Sequence, residues 1–185
     1  VLMQAAAPGH SEIVKFLAGK VKDVNGQGKF TGLSVLDLAM LKCSPEAIKL
    51  LIKKGAHLNG EGTREGENAM YFAASAGRKD IVPILLEKGI DINSVNKKGK
   101  TPLMAAVSSS AGSTEMVKLL IEKGADLKAA DKEGKTALMW AVMGNKIDIV
   151  KFLLEKGMDV NAKDKKGETA LDCAYKEEMI ELLNK

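Results

Sequence analysis

The apolar residues of this chain follow one pattern that returns about every 34 positions. A phrase of two apolar residues, a spacer, an apolar residue and a leucine occupies residues 13–17, 47–51, 81–85, 116–120 and 149–153. The second residues of these phrases are 34, 34, 35 and 33 positions apart, and glycines at 32, 66, 99, 134 and 167 keep the same step. A period of this size is typical of a solenoid or a propeller. The sequence therefore predicts stacked copies of one small unit.

Each unit is predicted to contain two short helices and an extended hairpin. In the third unit, Met70 and Ala73 mark the buried side of a first helix, which a break at Ala76-Gly77 separates from the second. Gly89 ends the second helix, at a position where positive φ is favoured. The apolar face of that helix is formed by Ile81, Val82, Leu85 and Leu86. One unit cannot bury this face alone, whereas stacked units can.

Composition supports packed helices and narrows the possible functions. Of the 185 residues, 45% are hydrophobic but only 4% are aromatic, so Ala, Leu, Ile, Val and Met must fill the core, which disfavours a β-sandwich. The formal charge of +4 permits an acidic partner without requiring nucleic acid. No apolar run is long enough for a membrane span. The two distant cysteines, Cys43 and Cys173, exclude a disulfide framework.

The first residue and the cysteine usage bear on the origin and the cellular compartment of the chain. The first residue is Val1 rather than Met, so we expect a fragment of a longer precursor, from which a targeting signal could have been lost. The cysteine usage leaves the compartment open, and the cytoplasm is the default expectation.

Candidate chemistry is sparse. Gly-Lys-Thr at 99–101 and 134–136 resembles the end of a phosphate-binding loop, but Ser94 and Ala129 stand where that motif needs its earlier glycine. The only histidines, His10 and His57, have no Cys or His at ligand spacing. No nucleophile is paired with a base. The sequence therefore predicts no enzyme, no cofactor and no metal site.

Several segments resemble the ankyrin repeat. They read Gly-Lys-Thr-Pro-Leu-Met-Ala-Ala at 99–106, Gly-Lys-Thr-Ala-Leu-Met-Trp-Ala at 134–141, Leu-Ile-Glu-Lys-Gly-Ala-Asp-Leu at 120–127 and Gly-Met-Asp-Val-Asn-Ala at 157–162. The resemblance covers nearly the whole chain. The Thr-Pro-Leu-Met and Thr-Ala-Leu-Met-Trp variants at 101–104 and 136–140 are similar to bacterial members of the family. It implies an all-α solenoid of stacked helix-turn-helix units with β-hairpin fingers, forming a single domain over residues 1–185. The implied units are approximately 1–29 (truncated), 30–63, 64–96, 97–131, 132–164 and 165–185 (a C-terminal cap).

One position departs from the family pattern. The residue after the first-helix leucine is usually histidine, and here the six units carry Met3, Asp37, Tyr71, Met104, Met139 and Asp172. We therefore expect the hydrogen bond that this histidine makes between loops to be missing or replaced.

The resemblance implies that a protein partner binds the concave face, made of hairpin tips and the exposed side of the first helices. If Leu138 and Ala141 face the core, helical geometry points Trp140 and Met143 the opposite way. The same register predicts Leu38, Leu41, Phe72 and Ser75 as contact residues. The predicted contacts at the hairpin tips are Arg64, Glu67, Lys97, Lys98, Lys100, Lys132 and Lys135.

Two alternatives remain open for these residues. Exposed aromatics are typical anchors of binding energy, but Phe72 and Trp140 could instead pack between neighbouring first helices. The lysines could form an ordinary solvated surface, or they could attract an acidic segment of the partner, in which case salt would slow association.

The leading hypothesis is a non-catalytic protein–protein interaction scaffold, acting as a monomer. One alternative is a regulatory or targeting arm of a longer enzyme or effector. A less favoured alternative is a nucleic-acid-binding surface, because acidic residues interrupt the lysines and the chain has only two arginines, Arg64 and Arg78.

Overall fold

The computed structural model describes residues 1–28, 32–60, 63, 65–111 and 113–184. In these residues the chain forms eleven helices, and the first ten make five consecutive pairs. The pairs are α1 (Leu2–Ala6) with α2 (Ser11–Lys20), α3 (Val35–Lys42) with α4 (Pro45–Lys53), α5 (Ala69–Ser75) with α6 (Val82–Glu87), α7 (Pro102–Ser108) with α8 (Thr114–Glu122), and α9 (Ala137–Met143) with α10 (Ile147–Glu155). Helix α11 (Glu177–Leu183) is the last helix of the described residues. The predicted all-α repeat fold is confirmed.

The first helices of the pairs pack side by side in chain order, from α1 through α3, α5 and α7 to α9. Fully buried alanines at equivalent positions, such as Ala39, Ala73, Ala106 and Ala141, allow this close approach. Leucine and isoleucine from the recurring phrase fill the layer between first and second helices, where Ile48, Leu51, Ile81, Leu85 and Leu120 are fully buried. The core is therefore continuous along the stack, as repeat architectures require.

Each of the helices α3, α5, α7 and α9 begins at a polar residue that caps it. The side chains of Ser34, Asn68, Thr101 and Thr136 accept hydrogen bonds from backbone N–H groups three residues later, at 3.1, 3.0, 3.3 and 3.4 Å. Such caps each contribute about 1 kcal/mol to helix stability. In α3 the cap is reciprocal, because Asp37 accepts from the backbone N–H of Ser34 at 2.7 Å. In that unit Asp37 makes a capping bond of its own at the family's histidine position.

The predicted β-hairpin fingers are not formed in the part of the chain that the structure describes. Only isolated antiparallel bridges occur there, between Gln27 and Ser34 and between Ala130 and Thr136. The reason is local competition: in the segments before the first helices, Asn and Asp side chains accept the backbone N–H groups that a hairpin ladder would use. The described turns at 96–100, 131–135 and 164–168 are therefore stabilised by side chains rather than by strand pairing.

The last segment differs from the other units. Residues 170–173 form a turn where the periodicity places a first helix. Asp172 there accepts both the backbone N–H and the hydroxyl of Thr169, each at 2.7 Å. Met179 of α11 is fully buried, while Glu177, Glu178 and Glu181 are exposed. No helix among the described residues has the length and apolar character needed to cross a bilayer. The exact unit boundaries stay a prediction.

Candidate partner-binding site

Three successive turns are organised by one buried side chain each. Asn96, Asp131 and Asp164 stand 35 and 33 residues apart, and all are at least nine-tenths buried. The Oδ1 atom of each accepts two backbone N–H groups of its own turn. The donors are Lys98 and Lys100 at 2.9 and 3.0 Å, Glu133 and Lys135 at 2.9 Å each, and Lys166 and Glu168 at 2.8 and 3.1 Å. These bonds fix where the lysines of each turn lie.

The first two turns also require glycine three positions after the buried side chain. Gly99 and Gly134 have φ values of +76° and +81°. A Cβ added to them would lie 2.8 Å from the backbone nitrogen of Lys132 and 2.9 Å from that of Lys165. The backbone of the next turn therefore passes directly against each glycine, which leaves no room for a side chain.

Backbone hydrogen bonds connect one turn to the next. The N–H groups of Lys97, Lys132 and Lys165 donate to the carbonyl oxygens of Glu65, Lys98 and Glu133, at 2.6, 2.8 and 2.9 Å. The turns consequently stand in a fixed register, and their lysines form a row along the stack. We call the surface made by these turns and the outward positions of α3, α5, α7 and α9 the first-helix face.

A pocket of about 330 Å³ opens on this face beside Trp140. The indole N–H of Trp140 donates to Oδ2 of Asp131 at 3.0 Å, and the ammonium of Lys100 lies 3.3 Å from the centre of the indole rings. The latter is a cation–π contact. The residues lining the pocket are Lys97, Lys98, Lys100, Asp131, Lys132, Glu133 and Trp140. Five predicted contact residues (Lys97, Lys98, Lys100, Lys132 and Trp140) are thus brought together.

The pocket is electropositive. Its lining carries four lysines against two carboxylates, and Asp131 already accepts hydrogen bonds at both oxygens. Lys98 pairs with Glu65 at 3.3 Å. Burial lowers the pKa of Lys100, an effect that Asp131 partly opposes and that Lys98 reinforces. An anion entering the pocket would therefore meet a cation that is partly removed from water.

The expectation that Phe72 projects from the first-helix face is wrong. Its side chain is only 8% exposed and meets the ring of Tyr71 edge-on, with ring centres 6.2 Å apart. The equivalent position is buried at Ala105 and half-buried at Leu38, so exposure at this register differs from unit to unit. Trp140, at the equivalent position, is half-buried and reaches the pocket.

The other predicted contact residues of the first helices differ in exposure. Leu41 and Met143 are exposed, at 44% and 41%, as the register predicts. Leu38 and Ser75 are half-buried. Contact of these residues with a partner stays a prediction.

The structure does not support Lys135 as a free contact residue. Its ammonium pairs with Asp164 at 2.7 Å and lies 3.8 Å from Glu168, and its side chain is 15% exposed. The pair raises the pKa of Lys135 and lowers the pKa of Asp164. Among the other predicted tip residues, Glu67 is half-buried and Arg64 lies outside the described residues.

Sequence reasoning overlooked the buried residues that organise the turns. Their signal was present, because Asn-Lys-Lys-Gly, Asp-Lys-Glu-Gly and Asp-Lys-Lys-Gly recur at 96–99, 131–134 and 164–167. Asn and Asp commonly form such turns, because their side chains accept a hydrogen bond from the backbone N–H two residues further on. The described residues contain no group of three or more His, Cys, Asp or Glu side chains suited to a metal ion.

The stacked helix pairs and capped turns define a helical repeat protein, and the comparison with known families specifies which kind. The family model for ankyrin repeats (3 copies) matches residues 2–96, 60–131, 89–164 and 111–185. The chain therefore belongs to the ankyrin-repeat family. A comparison with curated proteins gives no match. Ankyrin repeats generally mediate protein–protein interaction and are typically non-catalytic.

Proposed function

We propose that this chain is a non-catalytic scaffold that binds a polypeptide partner, as a monomer, through the first-helix face. The observation that carries the proposal is the first-helix face itself, where hydrogen-bonded turns hold lysines beside Trp140 and where Leu41 and Met143 are exposed. A rigid, preorganised surface of this kind loses little conformational entropy when a partner binds.

Apolar residues on the same face support binding to a protein. Leu41 and Met143 are exposed at equivalent positions of α3 and α9. An aromatic or large apolar side chain that becomes buried at an interface can contribute about 2 kcal/mol or more. Trp140, Leu41 and Met143 therefore provide anchors, and the lysines provide electrostatic attraction.

A role as the regulatory or targeting arm of a longer enzyme or effector would use the same surface and is compatible with the proposal.

Nucleic acid is a weaker candidate. Glu65 pairs with Lys98, and Glu133 lies on the rim of the pocket, so the row of lysines is interrupted by negative charge. Phosphate backbones bind best to uninterrupted basic surfaces.

The experiment compares the proteins captured from a native lysate by three forms of the chain. The Leu41→Glu/Met143→Glu variant places charge on the first-helix face without touching the core. Ile13→Glu is the matched control, because Ile13 is an apolar residue 50% exposed on α2, a second helix. We expect a partner that is retained by the wild type and by Ile13→Glu but not by the double variant, with all three forms unfolding at similar temperatures. Equal capture by the wild type and the double variant would refute the assignment of the face.

A further inference from the structure

We infer that the pocket beside Trp140 is a receptor for a carboxylate side chain, so that the segment bound there is an acidic peptide of the protein partner. The inference rests on the proposed function and adds the chemistry of the partner. It is carried by a difference between two equivalent lysines, Lys100 and Lys135, that stand 35 residues apart in successive units.

Lys135 has an internal counter-ion. Its ammonium bonds Oδ2 of Asp164 at 2.7 Å, and the Oδ1 atom of Asp164 holds the turn that follows. The residue of the next unit that could compete for Oδ2 is Cys173, which has no strong donor. Lysine and carboxylate therefore pair across the junction between the two units.

Lys100 lacks the equivalent pairing among the described residues, and Trp140 stands in its place. The carboxylate that corresponds to Asp164 is Asp131, and its Oδ2 accepts the indole N–H at 3.0 Å. Trp140 occupies the position that Cys173 occupies in the next unit, 33 residues on. The Lys100 ammonium lies instead over the indole ring, and within the described part of the chain no carboxylate is at ion-pair distance from it. The junction thus holds a partly buried cation that feels the charge of Asp131 but is not in contact with it as an ion pair.

The shape of the pocket suits a carboxylate on a short apolar stem. The indole ring and lysine side chains line it, the Lys100 ammonium lies over the ring, and Lys132 is exposed beside it. A volume of about 330 Å³ is at the lower end of the range for ligand pockets, enough for one or two side chains. A Glu side chain places its methylenes against the ring and its oxygens near Lys100 and Lys132.

Among the described residues, the lining contains lysine and no arginine. An ammonium group acts as a compact point charge without the planar fork that matches phosphate in two places. Glu133 on the rim repels a continuous phosphate backbone but leaves space for an isolated carboxylate. Among anionic partners, these features favour an acidic peptide over nucleic acid.

The experiment measures the affinity of the whole chain for a short, end-blocked peptide of alternating Glu and Leu, by calorimetry at low and at physiological ionic strength. The matched probe replaces each Glu by Gln, and single-stranded DNA and inorganic phosphate are the other probes. Trp140 is the only tryptophan, so its emission independently reports occupation of the pocket. We expect the Glu peptide to bind at least about tenfold more tightly than the Gln peptide and to shift the emission.

Two variants test the mechanism. Lys100→Met keeps the chain over the indole ring but removes the charge, and we expect it to weaken binding of the Glu peptide about tenfold. Trp140→Phe removes the indole N–H, which allows Asp131 to pair with Lys100, and we expect a similar loss by calorimetry. Lys53→Gln, at an exposed lysine of α4, is the control and should leave the affinity unchanged.

The inference is overturned if the Glu and Gln peptides bind equally, if Lys100→Met has no effect, or if DNA or phosphate binds more tightly than the Glu peptide with the same dependence on Lys100. These failures are distinguishable from failure of the proposed function. A captured partner that still depends on Leu41 and Met143 would leave the scaffold proposal intact while this pocket was assigned wrongly.

Discussion

Replacing Asp131 by alanine should destabilise the array through the turn that follows it. The carboxylate accepts hydrogen bonds from the backbone N–H groups of Glu133 and Lys135, at 2.9 Å each, and from the indole N–H of Trp140 at 3.0 Å. Asp131 is only 7% exposed, so these bonds are formed largely out of water. Alanine removes all three acceptor contacts together.

The expected magnitude follows from these three bonds. A net contribution of about 1 kcal/mol for each, allowing for water reaching the freed N–H groups of the turn, gives a loss of about 3 kcal/mol in the free energy of unfolding. That loss is a substantial part of the roughly 5–15 kcal/mol that stabilises a typical domain.

The chain supplies a matched variant, because Asn96 performs the same task one unit earlier. Its Oδ1 atom accepts the N–H groups of Lys98 and Lys100 at 2.9 and 3.0 Å. Asp131→Asn should therefore keep both turn bonds and lose only the bond to Trp140, since an amide NH₂ faces the indole N–H. We expect its cost to be about 1 kcal/mol.

Urea denaturation followed by far-ultraviolet circular dichroism measures both losses. The slope of unfolding free energy against urea must stay constant among the three forms for the values to be compared, which also checks the cooperativity of the array. A cost below about 0.5 kcal/mol for Asp131→Ala, or equal costs for the alanine and asparagine variants, would refute this account of the turn.

Two further predictions concern pH. Because pairing lowers the pKa of Asp164 and raises that of Lys135, the pair stabilises the fold above the unfolded pKa of Asp, about 3.9, and below that of Lys, about 10.4. Lys135→Gln should lower the free energy of unfolding at neutral pH, and its difference from the wild type should vanish as pH falls through the folded pKa of Asp164. A difference that does not change with pH would contradict the pairing. Burial raises the pKa of Asp37 despite its bonds to Ser34, so the pH dependence of its contribution has the opposite sign. The free energy of unfolding of Asp37→Asn should lie within about 1 kcal/mol of the wild type at neutral pH, and the wild type should become more stable relative to the variant as pH falls through the folded pKa of Asp37 towards about 4. Unfolding curves at several pH values measure this trend, and its absence would contradict the burial of Asp37.

The fold could be predicted because packing repeats with the sequence. Each unit must present the same buried face to its neighbours, so the apolar phrase and residues such as Ala73 and Gly89 recur in step. Gly89 has a φ of +77°, as its predicted position at the end of a second helix requires. Periodicity constrains these positions because one geometry satisfies every junction.

The candidate site could be predicted only in part, because side-chain partners vary at each junction. Lys100 and Lys135 are equivalent by period, yet one lies over an indole ring and the other pairs with Asp164. The difference depends on whether Trp140 or Cys173 follows, a relation between units that a scan of single residues does not reveal. Phe72 illustrates the same limit, since it is buried while Trp140, at the equivalent position, is half-buried.

The most direct test of the central claim is amide hydrogen exchange of the chain, measured by mass spectrometry with and without a captured partner. The account predicts that protection concentrates in the turns at 97–100 and 132–135 and in α3, α7 and α9, while α2, α4 and α10 exchange as in the free chain. Protection confined to those second helices, with the turns unchanged, would contradict binding at the first-helix face.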